Sequence, residues 1–321
     1  MRTLKRSMLL MVLTLSSGAL LSCQSLPSAL GGDEVRTFSD PPAAGEALVA
    51  ALRADDEVAL MDILGRDAKS LLESGDAVDD ESERRRFVRM YDQVHWWSSS
   101  GAGFAVLEIG PRAWPFPVPL VRTDGGWVFD LAQGADELLN RRVGRNELGA
   151  IQAALAFVDA ENEYYERNPG GQPPARYARS ILSRPGQRDG LYWDTKPGEP
   201  SSPLGPLFAG AREQGYTPSA GAGKPFHGYH FRVLHGQGSN APGGAYDYIV
   251  DGAMTRGFAL VAWPARYGSS GVMTFLINQF GVLYEKDLGA DTASVAGEMT
   301  VFDPDQTWAI VSPDAQLLPG D

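Results

Sequence analysis

One cysteine occurs in the 321 residues, at position 23, so no disulfide can close within the chain. Histidine is scarce as well, with four residues: His95 and a group of three, His227, His230 and His235. Positive charge is in deficit. Twenty-eight Lys and Arg stand against 40 Asp and Glu, a formal charge of -12. Arg2, Lys5 and Arg6 belong to the N-terminal segment, and after them 25 basic residues face the same 40 acids. Such a surface repels phosphate backbones, so no nucleic-acid partner is expected. Beyond the first two dozen residues no apolar run approaches the length of a membrane span. Known reactive motifs are missing too. Gly268-Ser269-Ser270-Gly271 lacks the G-x-S-x-G spacing of a nucleophile elbow, and Asp303-Pro304-Asp305 lacks the glycine and closing glutamate of a calcium loop.

What is present begins at the N-terminus. Arg2, Lys5 and Arg6 precede an apolar stretch, Met8 to Leu21, too short to span a bilayer comfortably and proportioned like a secretory signal. It ends in Leu20-Leu21-Ser22-Cys23, which resembles a bacterial lipobox. The reading is an exported chain with residues 1–22 as signal peptide and a lipid on Cys23. A free thiol outside the cytoplasm is a liability, and acylation explains why the single cysteine sits there. Several acyl chains anchor stably where one does not. By resemblance to enterobacterial sorting, Gln24 rather than Asp after the cysteine implies the outer membrane, with the protein facing the periplasm. Residues 23–40 read as a lipidated tether rich in Ser, Gly, Pro and Asp.

From Asp40-Pro41-Pro42 the periodicity is helical: Ala47, Leu48, Ala51 and Leu52, then Val58 to Leu64, then a piece ending at Leu71-Leu72. Glu83 to Trp97 is expected to be helical with Phe87, Met90, Tyr91 and Val94 inward. Strands follow at Phe104–Ile109, Trp114–Val121 and Trp127–Phe129; prolines 115, 117 and 119 place the second at a sheet edge. Helices followed by a strand meander give an α+β class. Ala47 to Leu60, with Pro119-Leu120-Val121 and Trp127-Val128-Phe129-Asp130, resemble the opening helices and closing hairpin of NTF2-like domains, over residues 41–142.

A long helix is expected from Asn146 to about Glu166, with Leu148, Ile151, Leu155 and Val158 on one seam. Residues 168–225 read as an irregular layer with short helices near Ala175–Leu182 and Leu204–Gln214. The remainder alternates as antiparallel sheet: Tyr229–Leu234, Phe258–Trp263, Val272–Ile277 and Val282–Glu285. Helix, irregular connection and sheet over 143–321 resemble the heads of type IV pilins and pseudopilins, without the pilin membrane helix.

Taken whole, the chain resembles a bacterial family known as domain of unknown function 2950. The segments that carry this are Trp114 to Val121, Asn140 to Leu148, Arg188-Asp189-Gly190-Leu191-Tyr192-Trp193, Ala241 to Tyr248 and Gly271 to Phe275. The resemblance implies export and assigns no activity.

Arg141, Arg142 and Arg145 crowd the junction of the two halves and suit either an anion site or ion pairing between the halves. His227, His230 and His235 form a polar cluster by sequence, but 230 and 235 point to opposite faces of a strand, so no metal or other cofactor is expected. Glu161, Glu163 and Glu166 read as a solvated helix face, and Tyr229, Phe231, Tyr246, Tyr248 and Trp263 as core. The function expected is non-enzymatic: binding of an envelope protein or small ligand. The alternatives are a hydrolase or isomerase with His95 or Asp92 as base in the N-terminal cavity, and a structural part of a pilus-like assembly.

Overall fold

The computed structural model describes residues 35–99, 101–171, 173–217 and 223–312, which lie in one compact unit. The signal segment, Cys23 and most of the tether lie outside the described residues. α1 (Pro41–Ala54) starts where the Asp40 side chain accepts the Ala43 amide at 2.9 Å, with prolines in the first turn. α2 (Glu57–Leu64) is capped by Asp56, and α3 (Ala68–Leu72) follows. α4 (Ala77–Gln93) is capped by Asp76.

A five-stranded antiparallel sheet comes next: β1 (His95–Ser99), β2 (Phe104–Ile109), β3 (Trp114–Pro115), β4 (Leu120–Thr123) and β5 (Gly126–Phe129). Its order is β1-β2-β4-β5, with β3 beside β2. Two expectations are corrected here. The helix begins at Ala77 and ends at Gln93, and Val94 turns outward in extended conformation. His95-Trp96-Trp97 form an edge strand instead, because β-branched and aromatic residues gain more from pairing with β2. The strand at 114–121 is split. Residues 116–119 carry two prolines without amide donors, so only the ends, β3 and β4, pair with β2. The end before Pro117 stays at an edge, while β4 is flanked by β2 and β5. Part of the expected tether is also ordered: Phe38 exchanges backbone hydrogen bonds of 2.8 Å with Trp127. Leu48, Leu60, Ile63, Leu107, Ile109 and Leu120 fill this first core.

α5 (Leu131–Arg167) begins fifteen residues before the expected Asn146, capped by Asp130. Gly134 and Gly144 interrupt the pattern at its start and disguise the helix. Gly134 is required by packing, since a Cβ there would lie 2.5 Å from the Pro117 carbonyl oxygen. The first turns of α5 pack on the first core through Leu131 and Leu138, and the later turns enter the second through Ile151, Phe157 and Tyr164.

In the irregular layer, the helix expected near 204–214 is present as α6 (Gly205–Glu213), whereas 175–182 is not helical. Its amides are taken elsewhere: Tyr177 donates to the Met254 carbonyl and Ala178 to Glu161, each at 2.8 Å. The strands that follow are β6 (Tyr229–Leu234), β7 (Gly236–Gln237), β8 (Tyr246–Asp247), β9 (Ile249–Val250), β10 (Ala253–Met254), β11 (Ala259–Pro264), β12 (Met273–Asn278) and β13 (Leu283–Asp287). α7 (Thr292–Glu298) and β14 (Ala309–Ile310) close the described chain. The main sheet has order β14-β13-β12-β11-β6, all antiparallel. Tyr229, Tyr248, Phe258, Phe275 and Phe302 are fully buried in the second core. Phe231, Tyr246 and Trp263 pack against it, so the aromatic strands are core and not a free face. Helices with purely antiparallel sheets make the class α+β. No helix among the described residues is long and apolar enough to cross a membrane.

Candidate functional site

A cavity of about 950 Å3 lies between α3, α4, the β2–β3 connection and the first half of α5. Leu52, Leu72, Phe87, Met90, Trp114 and Leu138 supply its apolar walls. Its polar rim includes the helix segment singled out by sequence, Arg141, Arg142 and Arg145, together with Arg84, Arg86 and Arg112 and the acids Asp79, Asp80 and Glu83. Spacings of three and four residues put Arg145 on the same face as both others.

Each guanidinium is held differently. Arg141 Nε meets Glu137 Oε1 at 2.6 Å, one Nη donates to the Pro115 carbonyl at 3.0 Å, and the group lies over Trp114, 5.0 Å from a ring centroid. Arg145 pairs with Glu83 at 3.3 Å across to α4. Arg142 is the most enclosed. One Nη reaches Ser269 Oγ at 3.5 Å in the β11–β12 turn, and Asp80 and Asp79 lie within its field. Burial lowers its pKa, opposed by Asp80. Burial likewise raises the Asp80 carboxyl, opposed by the Ser74 amide, which donates to it at 2.9 Å, and by Arg142. The cluster thus ties α4, α5 and the second sheet together while presenting cations to an apolar cavity.

Beside it, Asp76 joins the two cores. It is buried, and Oδ1 accepts the Val78 and Asp79 amides at 3.2 Å as the α4 cap. Oδ2 accepts the Tyr216 hydroxyl at 2.8 Å and the Gly228 amide at 3.0 Å. Burial and the nearby Asp76 charge push the Tyr216 phenol far up, so it stays a donor. A second link is Asn146, whose side-chain amide donates to the Ser270 carbonyl at 3.0 Å. Glu147 Oε1 accepts the Val272 and Met273 amides at 2.9 and 3.0 Å. None of these three was marked from sequence. Asp76 could have been, as an Asp before a helix start; Glu147 and Asn146 acquire their roles only through contacts more than a hundred residues away.

The three histidines do not converge. The His227 amide donates to Tyr216 Oη at 3.1 Å and its ring is 3.9 Å from Asp79. His230 tilts against Trp263, and burial lowers its pKa. His235 Nε2 donates to the Arg179 carbonyl at 3.1 Å, on another side of the fold. Among the described residues no group of three His, Cys, Asp or Glu could hold a metal ion. Nor do His95 and Asp92 enter the cavity. His95 stacks on Tyr91 at 3.7 Å and Asp92 pairs with Arg53, both on the exposed surface. Neither residue is among those that line the cavity.

Glu161 corrects the solvated-face expectation. It is completely buried, one turn from Phe157 and Tyr164 on the core side of α5. Oε2 accepts the Ala178 amide and Oε1 has no partner. Desolvation raises its pKa well above the ordinary glutamate value. Glu163 pairs with Arg167, and Glu166 is exposed as expected.

No curated protein and no solved structure matches the chain significantly. One family model, described as a protein of unknown function (DUF2950), matches residues 35–311, and the chain belongs to that family.

Proposed function

We propose that the protein is an exported, lipid-anchored envelope protein that binds a small amphipathic anion in the cavity of the first core. The observation that carries the ligand class is the wall chemistry. A cavity of about 950 Å3 with Leu, Phe, Met and Trp sides opens onto Arg141, Arg142 and Arg145. Pockets of this size accept small molecules, and a few convergent polar groups set orientation. An apolar tail gains by leaving water, while a carboxylate or similar head is fixed by fork-shaped donors. The location rests on Arg2 to Cys23: basic start, short apolar stretch and lipobox-like end. Replacing Cys23 by Ser is expected to move the protein from the membrane fraction to the soluble one.

Displacement of a fluorescent fatty acid by dodecanoate and by dodecanol tests the cavity. Dodecanoate is expected to compete and the alcohol to compete poorly. Arg145→Met should weaken dodecanoate about tenfold, as expected for one charge-assisted hydrogen bond of ~1.5 kcal/mol. Leu138→Trp, which fills the apolar wall, should weaken both. Equal competition by acid and alcohol, unchanged in both variants, would overturn the reading.

A further inference from the structure

A second cleft, about 500 Å3, lies at the other end of α5. Leu148 lines the first cavity and Tyr164 the second, so the two are separated by roughly 24 Å at 1.5 Å per helical residue. Its lining holds three cations, Arg176, Arg179 and Arg184, beside His235, with Asp189 as the one carboxylate. That is an unusual density of positive charge on a chain of formal charge -12.

The carboxylate is already engaged. Asp189 accepts the Arg184 amide at 2.9 Å and Arg184 Nε at 2.5 Å, which holds Arg184 in place. Arg176 and Arg179 have no side-chain hydrogen bond or carboxylate partner among the described residues. The Arg176 Nε is buried as well. A buried guanidinium donor without an acceptor carries a desolvation cost that a bound anion would remove.

The backbone under these two arginines is rigidly held. Tyr177 donates to Met254, Ala178 to Glu161, and Leu191 to the Ser180 carbonyl, while the Arg179 carbonyl accepts His235 Nε2. These bonds fix the backbone that carries the two arginines, which lowers the ordering cost of binding.

We propose that this cleft binds a phosphate group, gripped by Arg176 and Arg179 and flanked by Arg184 and His235. Three guanidiniums less one carboxylate leave a charge of two, which a phosphate dianion neutralises, and planar forks match its oxygens in pairs. Free phosphate and a phosphate ester share this chemistry.

The test is calorimetric titration of the full-length protein in detergent, at low ionic strength, with inorganic phosphate and separately with glycerol 3-phosphate. At least one is expected to bind; phosphate binding identifies the free ion as sufficient, and binding of the ester alone identifies an esterified ligand. Arg179→Ala, at an exposed position, should weaken binding at least tenfold without altering the thermal unfolding curve. Arg176→Met should do the same, and Arg184→Ala should have a smaller effect. Arg53→Ala, remote from the cleft, should change nothing, and dodecanoate displacement should be the same in Arg179→Ala as in wild type, which separates this result from failure of the first site. No heat from either compound, or equal affinity in Arg179→Ala and wild type, would overturn the proposal.

Discussion

The two ends of α5 bury charge in opposite ways. Near its start, Arg142 is enclosed beside Asp80, with Ser269 and the Ser74 amide completing the group. Near its end, Glu161 is enclosed with a single backbone amide and no cation on either oxygen. In the first arrangement burial disfavours both charges and their mutual attraction opposes it; in the second nothing but one amide opposes the desolvation that favours the proton. The same helix therefore carries a cluster of charges of both signs at the cavity and, further on, a lone buried acid whose desolvation favours the proton. The difference teaches that burial alone does not mark a functional charge; what surrounds it does.

The contrast can be broken most severely between the two ends, at Asp76. Asp76→Ala removes an N-cap and leaves the Tyr216 hydroxyl and Gly228 amide without their acceptor. A cap of ~1 kcal/mol and two orphaned donors at about 1 kcal/mol or more each predict a loss of at least ~3 kcal/mol, measured by urea unfolding. Arg142→Met comes next. It strands Asp80 in a largely enclosed site, and a loss of about 2 kcal/mol is expected, lower than for a fully buried pair. Adding Asp80→Asn should restore part of that stability, because no unpaired carboxylate remains.

Glu161→Gln is expected to have the smallest effect and the opposite sign. The folded chain holds the Glu161 proton more tightly than the unfolded chain, whose value is near 4.5. Stability from this group is therefore full below that value and is lost as pH rises toward the folded-state value. Glutamine imitates the protonated acid and cannot ionise. Unfolding curves at pH values below and above the window should show Glu161→Gln equal to wild type in acid and more stable than wild type at neutral pH. A wild-type curve that gains stability across the same window would assign Glu161 a buried cation that the structure does not contain.

Much of this architecture is legible in the residues. The Asp40-Pro41-Pro42 start, the alternation of Phe104 to Ile109, and the Gly268 to Gly271 turn carry local rules that the tertiary structure leaves intact. Several failures are cases of distant partners overriding local pattern. His95-Trp96-Trp97 continues a helical sequence but finds an open strand in β2. Leu131 to Arg145 holds two glycines and looks broken, yet Gly134 is what permits α5 to lie against Pro117. The arginine cluster is legible as a group, since three cations in five residues stand out in an acidic chain. The cavity they face is not, because its walls come from α3, α4 and the β2–β3 connection. Glu161 reads as solvated by its charge, although its spacing from Phe157 and Tyr164 puts it on the apolar seam.

Hydrogen exchange of the full-length protein with and without dodecanoate tests the central claim most directly. The account predicts slowed exchange in α3, α4, residues 110–116 and the Leu138–Leu148 turns of α5, with residues 176–189 unchanged. Protection confined to 176–189, or none anywhere at saturating dodecanoate, would contradict it.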